Sequence, residues 1–339
     1  MFSSEEIQQL KLCCQSATSI LITGPEATDG DSIGACQALK EIILQQHSVQ
    51  IDCTGQVDFQ YTWMAGLDEW KSPTELQQQY DVAIVLDGNF FRLNDTVQHI
   101  FENSKHRILI DHHQPTDFSP YTLVLLNSTS PSTCSMIAKI AMEWKISLTK
   151  TMAQALYTGI IFDTGGFQHD NTDAQTHRIV ADLMDTGFDA NFVYSKVLVE
   201  KKPSGLRLMC YVLQYSEYLA DGFAHVIQIP QKTFQELDCS YSDTEGLANL
   251  LLYTTGVDVS FLLLEKQDGC KISFRSRSAF YKHDINCATF AKSLYPSGGG
   301  HIKAAGVFIP YHDGLPNSTA IYEHVKNRLN QLLSESQPS

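Results

Sequence analysis

Short apolar runs and longer amphipathic stretches alternate through the first 200 residues. Continuous apolar segments at 18–23, 48–53, 82–86, 107–110 and 121–126 have strand length and end in polar turns. Between and after them, apolar positions recur at helical spacing over 32–46, 132–144, 150–162 and 174–185, and the opening MFSSEEIQQLKLCC reads as an amphipathic helix. Ser132 stands where a helix N-cap is wanted, and Gly187 where a C-cap is. Strands that alternate with helices imply crossover connections. This predicts an α/β domain with a parallel sheet and helices on both faces.

The pattern breaks at VEKKPSG, residues 199–205, where charge, proline and glycine interrupt it. A helical run over 206–218 follows. Beyond it the order changes to strands at 224–229, 257–265, 270–277 and 304–309 with helices at 244–252 and 284–294, a smaller α+β domain. The expected division is therefore 1–198 for the first domain, 199–218 for a linker and connecting helix, and 219–335 for the second, with a polar tail after 333.

Composition narrows the function classes. The chain has 339 residues, 43% of them apolar and 18% charged, which suits two globular domains. No apolar stretch approaches the roughly 20 residues that span a bilayer, and the N-terminus lacks the form of a signal peptide, so the cytoplasm is the expected compartment. Nine scattered cysteines without a CxxC pair argue against a disulfide framework or a zinc site, and read as small buried hydrophobes. A net charge of -14 argues against wrapping long nucleic acid. A small phosphorylated ligand stays compatible with it, because a local cation can overrule the average field.

Three of the strand-like runs end in aspartate: ILIT leads to Asp29 and Asp31, VAIVL to Asp87, and RILI to Asp111, His112 and His113. In an open parallel sheet the ligand crevice lies beyond the carboxyl ends of the strands, so these acids are expected to converge there. A fourth acid, Asp163, precedes a Thr-Gly-Gly turn in GIIFDTGGF. Each has an ordinary alternative: Asp31 as a helix cap, Asp87 and Asp163 as turn residues, His113 as a loop histidine. Together they point to bound cations, since clustered carboxylates are unfavourable without compensation.

In the second domain, Gly298, Gly299, Gly300 and His301 are expected to form a nest of backbone N–H groups for an anion, with a hairpin turn as the alternative. From Lys266 to Lys303 there are seven basic residues against two acids, a local balance of +5. Arg275 and Arg277, two apart in a strand pattern, are expected to share a face and offer guanidinium groups to phosphate, a solvated basic face being the alternative.

TDGDSIGA, the aspartate of VLDGN, LIDHH, FDTGGF and GGGHIKAAG, in this order over residues 29–306, resemble the DHH phosphoesterase superfamily with its C-terminal DHHA1 domain. Within it they look like the nanoRNase and pAp-phosphatase type, RecJ-like in the catalytic domain. The resemblance implies a metal-dependent hydrolase acting on very short RNA or 3'-phosphoadenosine 5'-phosphate (pAp), with two Mn²⁺ ions, or Mg²⁺ or Co²⁺, activating water to attack phosphorus. It places Asp29 and Asp87 on one ion, and Asp31, Asp87, His112 and Asp163 on the other. Asp111 would orient a ligand, and His113, Arg275, Arg277, Gly298, Gly299, Gly300 and His301 would hold the substrate as the second domain closes. A homodimer is compatible with this reading. Pyrophosphate hydrolysis, cleavage of a cyclic or linear dinucleotide, and nucleotide binding without turnover are the alternatives.

One position departs from the family pattern. A histidine is expected four residues before the first aspartate, as a ligand of the first ion, and here that residue is Pro25. Adjacent Glu26 is the expected substitute.

Overall fold

In the computed structural model, residues 3–113, 117–220, 222–277 and 285–335 are described. They form two compact units, Met1–Glu200 and Lys201–Ser339. The break falls within the charged, proline-containing segment that interrupts the sequence pattern.

The first unit runs α1 (Ser4–Ser16), β1 (Ser19–Ala27), α2 (Gly30–Gln46), β2 (Gln50–Gln56), β3 (Val82–Leu86), α3 (Asp95–Asn103), β4 (His106–Asp111), β5 (Leu123–Leu126), α4 (Thr133–Glu143), α5 (Lys150–Asp163), α6 (Ala174–Met184) and α7 (Ala190–Tyr194). Its five strands are all parallel, in the order β2-β1-β3-β4-β5. Because strand side chains alternate, Ile20, Ile22, Ile84, Ile108 and Ile110 enter one core with α1, α2, α4 and α5, while Leu21, Ala83, Val85 and Leu109 enter another with α3. Both sheet faces are covered, which is why these strands read as continuous apolar runs. Ser132 caps α4 by accepting from the Ser135 amide, and α3, with only nine residues, is an element the sequence pattern did not mark.

The second unit runs α8 (Pro203–Tyr215), β6 (Glu217–Leu219), β7 (Ala224–Ile229), α9 (Gln231–Glu236), α10 (Leu247–Leu251), β8 (Val259–Glu265), β9 (Gly269–Ser276), α11 (Cys287–Leu294), β10 (Gly299–Gly300), β11 (Ala304–Pro310) and α12 (Ser318–Glu335). The strand order is β10-β11-β9-β8-β7-β6, antiparallel except for the parallel β7–β8 pair. Phe290 and Leu294 of α11 and Ile321, Val325 and Leu329 of α12 fill one face. Leu208 and Val212 of α8 join Phe234, Leu247 and Leu251 on the other.

That packing alters the expected division: the helix read as a connector belongs to the core of the second unit. It also ends three residues earlier than expected, because Glu217 starts an edge strand. The expected helix start at residue 284, Lys282 of the basic stretch and the last four residues of the polar tail lie outside the described residues. Six of the nine cysteines are buried, and only Cys210 is exposed. No described helix is long and apolar enough to cross a membrane.

Candidate metal centre

The strand order reverses between β1 and β3, and in an open parallel sheet that switch point opens a crevice at the carboxyl ends. Asp29 and Asp31 follow β1, Asp87 follows β3, and Asp111 closes β4. Asp31 is fully buried. Its two oxygens accept from the first amides of α4, Oδ2 from Thr133 N at 2.5 Å and Oδ1 from Cys134 N at 2.8 Å. An anion at a helix N-terminus satisfies orphan N–H groups and meets the positive end of the dipole. The carboxylate is therefore fixed in direction by a helix about a hundred residues away in sequence.

Asp87, 2% exposed, adopts a left-handed backbone with φ of 56°. Asp and Asn tolerate that region better than other side chains. Its amide donates to Ile110 O at 3.2 Å, and its Oδ1 accepts from Thr133 Oγ1 at 3.3 Å. His112 Nε2 lies 3.1 Å from Asp163 Oδ2 and 3.5 Å from Asp87 Oδ1. On the other side of the ring, His112 Nδ1 lies 3.2 Å from Ser130 O, a carbonyl that only accepts. That contact assigns the proton to Nδ1 in the neutral ring and turns the Nε2 lone pair toward the carboxylates.

Asp111 Oδ1 accepts from both His113 N and His113 Nδ1 at 2.9 Å, while the buried Asp111 Oδ2 has no hydrogen-bond partner among the described residues. Two overlapping groups of side chains bring ligand atoms within 4.8 Å of one another: Asp31, Asp87, His112 and Asp163, and Asp87, Asp111, His112 and His113. Burial, and then repulsion from Asp29 and Asp31, pushes Asp87 well above the usual carboxylate range. Burial, and then Asp31, does the same to Asp163. Burial opposes the His112 imidazolium, but its bonds to Asp163 and Asp87 outweigh this and push it up to about 12. An array that raises its own acids and clutches a proton on its imidazole is short of positive charge. Three carboxylates and one directed imidazole fit a divalent ion of the Mn²⁺ or Mg²⁺ kind.

A stability prediction follows, with one sign. Asp87 and Asp163 bind protons more tightly in the folded than in the unfolded chain, where aspartate titrates near about 3.9. His112 does so above about 6.5. In both windows the folded state holds more protons, so stability in chelator falls as pH rises from about 4 into the alkaline range. Mn²⁺ at a hundred times its Kd adds about 2.7 kcal/mol. For a 200-residue unit that is roughly 5–11 °C. Thermal melts at pH 5.5 and 8.5, in chelator and in Mn²⁺, are expected to show the larger metal shift at pH 8.5, in the first unit's transition.

The other expected residues divide. Asp29 caps α2, its Oδ1 accepting from Asp31 N at 3.1 Å and Ser32 N at 3.0 Å, and it belongs to neither ligand group. Pro25 lies in β1 where pairing with β2 shifts register, and packs so close that a Cβ on Gly88 would sit 3.3 Å from its ring. Glu26 is exposed, with Oε1 accepting from Asn94 Nδ2 at 3.2 Å, and it too is outside both groups. In the DTGG turn Gly165, Gly166 and Phe167 are all left-handed, and His169 packs over Gly165, where it would meet a Cβ at 2.5 Å.

The second unit corrects one expectation. Gly299 and Gly300 pair with Gly306 and Ala305 as β10, and His301 N donates to Ala304 O at 2.7 Å, so the segment is a tight hairpin rather than an open nest. Gly298 N is likewise engaged, donating to Tyr295 O at 2.9 Å. The His301 amide is thus spent on β11, and that of Gly298 on the chain just before the hairpin. Arg275 and Arg277 fall at half-buried positions alternating with buried Phe274 and Ser276. Arg275 Nη1 donates to Phe274 O at 2.8 Å, and burial pulls its guanidinium down.

Sequence reasoning missed Ser130, Thr133 and Cys134, which serve through backbone or hydroxyl groups. The only signal was the dense run of small polar residues STSPSTCS. It also missed Gly159, whose absent Cβ leaves room for Asp31.

A family model described as "DHH family, N-terminal domain" matches residues 19–160. A Bacillus subtilis protein named "Bifunctional oligoribonuclease and PAP phosphatase NrnA" is 27% identical over 291 residues, 83% of this chain and 86% of the relative. A Streptococcus mutans protein, "Probable bifunctional oligoribonuclease and PAP phosphatase NrnA", is 26% identical over 317 residues, covering 92% and 95%. The crystal structure of an exopolyphosphatase-related protein from Bacteroides fragilis superposes with a TM-score of 0.85 at 24% identity, covering 98% of both chains. That likeness extends the shared fold to both units.

Proposed function

We propose, for a phosphoesterase whose residues 19–160 form a DHH-family N-terminal domain, that the substrates are very short oligoribonucleotides, hydrolysed to mononucleotides, and pAp. The observation that carries the reading is the convergence of Asp31, Asp87, His112 and Asp163 at the switch point of the sheet. The printed names of relatives spanning most of the chain direct it to these substrates.

In this proposal Asp31, Asp87, His112 and Asp163 hold one divalent ion, Mn²⁺ by preference, and Asp29 and Asp87 face a second. Such ions, when bound, polarise phosphoryl oxygens and make a nucleophile of water near neutral pH. The rest falls to the chain. The α4 amides hold Asp31 aimed, Ser130 O keeps the proton on His112 Nδ1, and Asp111 orients His113 toward a substrate oxygen. Arg275, Arg277 and the His301 side chain of the second unit are assigned to the substrate's phosphate end, Arg275 as its main cation. The expected compartment is the cytoplasm, where such RNA fragments arise.

Turnover of di- to pentaribonucleotides, pAp and pyrophosphate with Mn²⁺ tests the proposal. Hydrolysis of the ribonucleotides and release of phosphate from pAp, both abolished by chelator, are expected. Turnover of pyrophosphate alone, or of none of the three, overturns it.

A further inference from the structure

We propose that Phe91 and Phe118 form a base-stacking platform beside the metal centre, holding one nucleobase of the oligoribonucleotide; the inference rests on the substrate reading above. Both residues stand on the segments that follow adjacent parallel strands, β3 and β4, whose carboxyl ends carry Asp87 and Asp111 to His113. Phe91 is four residues past Asp87, at most about 14 Å along the chain. Yet its side chain is 62% exposed, and that of Phe118 46%.

Single exposed apolar side chains need no explanation, but these two are built in. Phe90–Arg92 is one turn of 3₁₀-helix, capped by Asn89, whose Oδ1 accepts from Phe91 N at 3.1 Å. Phe90 anchors the turn: it is buried, edge-on to Phe91 at 5.3 Å between centroids, and packed against Phe101 at 5.9 Å. Tyr121 ties the second segment to the first. Its Oη accepts from Phe90 N at 2.7 Å, and its own amide donates to Phe118 O at 3.2 Å.

Two outward rings are thus carried on turns cross-linked through one half-buried tyrosine. Rings carried on turns fixed before binding lose less freedom when a ligand stacks on them. Arg92, exposed and next to Phe91 in the chain, adds a guanidinium with no ion pair among the described residues. An aromatic face beside a cation suits a base and its flanking phosphate. Stacking accepts any base, as an enzyme clearing RNA fragments of all sequences requires.

Steady-state kinetics on a diribonucleotide and on its analogue lacking one base, with the Mn²⁺-loaded full chain, test the platform. Phe91→Ala and Phe118→Ala are each expected to raise KM for the complete substrate about ten-fold. The wild-type preference for it over the abasic analogue should collapse toward one. Phe91→Trp should keep the wild-type KM, and its added fluorescence should be quenched by the diribonucleotide. Diribonucleotide turnover with KM unchanged in both alanine variants overturns the platform alone. A wild-type protein that turns over no diribonucleotide overturns the substrate reading and the platform with it.

Discussion

Asp87→Asn is expected to lower kcat/KM of the metal-loaded protein by on the order of a thousand-fold or more, while raising the melting temperature of the chelated protein. Asparagine is the informative replacement. It keeps the shape and tolerates the φ of 56° that alanine would strain, so the backbone bond to Ile110 survives. What changes is charge at the one carboxylate common to both ligand groups. Metal-borne stabilisation of phosphoryl charge is worth several kcal/mol, and each 1.36 kcal/mol is a factor of ten.

The stability change has the opposite sign. Burial and the neighbouring aspartates disfavour the Asp87 anion, so folding the metal-free chain at neutral pH means either taking up a proton or tolerating repulsion. A neutral amide removes that conflict. Steady-state assays and thermal melts in chelator check both halves: a fall in activity under ten-fold would refute the ligand assignment, and a lower melting temperature would refute the electrostatic one. The residue is kept as aspartate at a cost to the empty fold, a trade typical of functional sites.

How much of this was legible beforehand depends on the range of the interaction. Acids at the ends of apolar runs are local signals, and the rule that ligands gather beyond parallel strands is general, so Asp29, Asp31, Asp87 and Asp111 to His113 are expected to converge. That Asp31, Asp87, His112 and Asp163 share one ion is implied by the family resemblance alone. The roles of Thr133 and Cys134 could not be read in either way. Their contribution is two backbone amides, which carry no residue-type signature, and their target lies about a hundred residues away. Ser132 was readable as a cap because capping is local, but what the capped helix would point at was not.

Range also explains the errors. Three glycines in a row announce conformational freedom, and a nest and a hairpin both use it; the partner strand β11, which pairs with Gly299 and Gly300, decides between them. The helix α8 looks like a connector because it follows the break, and only Leu208 and Val212 meeting Phe234 and Leu251 reveals it as core. Asp29 is the case in which both readings hold a share. Its Oδ1 is spent on the α2 cap, and Oδ2 accepts no hydrogen bond among the described residues. With Pro25 and Glu26 contributing nothing to either ligand group, the second ion of the proposal has the poorer donor set.

Gly159→Ala is expected to remove the tighter metal site and to destabilise the first unit. In an exposed helix interior the same change would gain up to about 1 kcal/mol, because alanine is the better helix former. Here α2 and α5 cross at two glycines: a Cβ on Gly34 would lie 2.3 Å from Ala155 O, and one on Gly159 would lie 2.4 Å from both Asp31 Oδ1 and Cys134 Sγ. Neither neighbour can yield cheaply. Asp31 is held by two amides, and Cys134 is a buried residue of the helix that supplies them. Either α5 backs away, carrying Asp163 with it, or the Asp31 carboxylate turns off its amides; each outcome moves a ligand. Overpacking of this kind costs about 1–3 kcal/mol beyond any metal loss, roughly 2–12 °C for a unit of this size. Metal stoichiometry by calorimetry and thermal melts in chelator read the two effects separately. Adding Cys134→Ala discriminates further, since it removes the Sγ contact and leaves the Oδ1 contact in place. Stability should then recover in part while metal binding does not, and recovery of both would mean that Asp31 was never displaced.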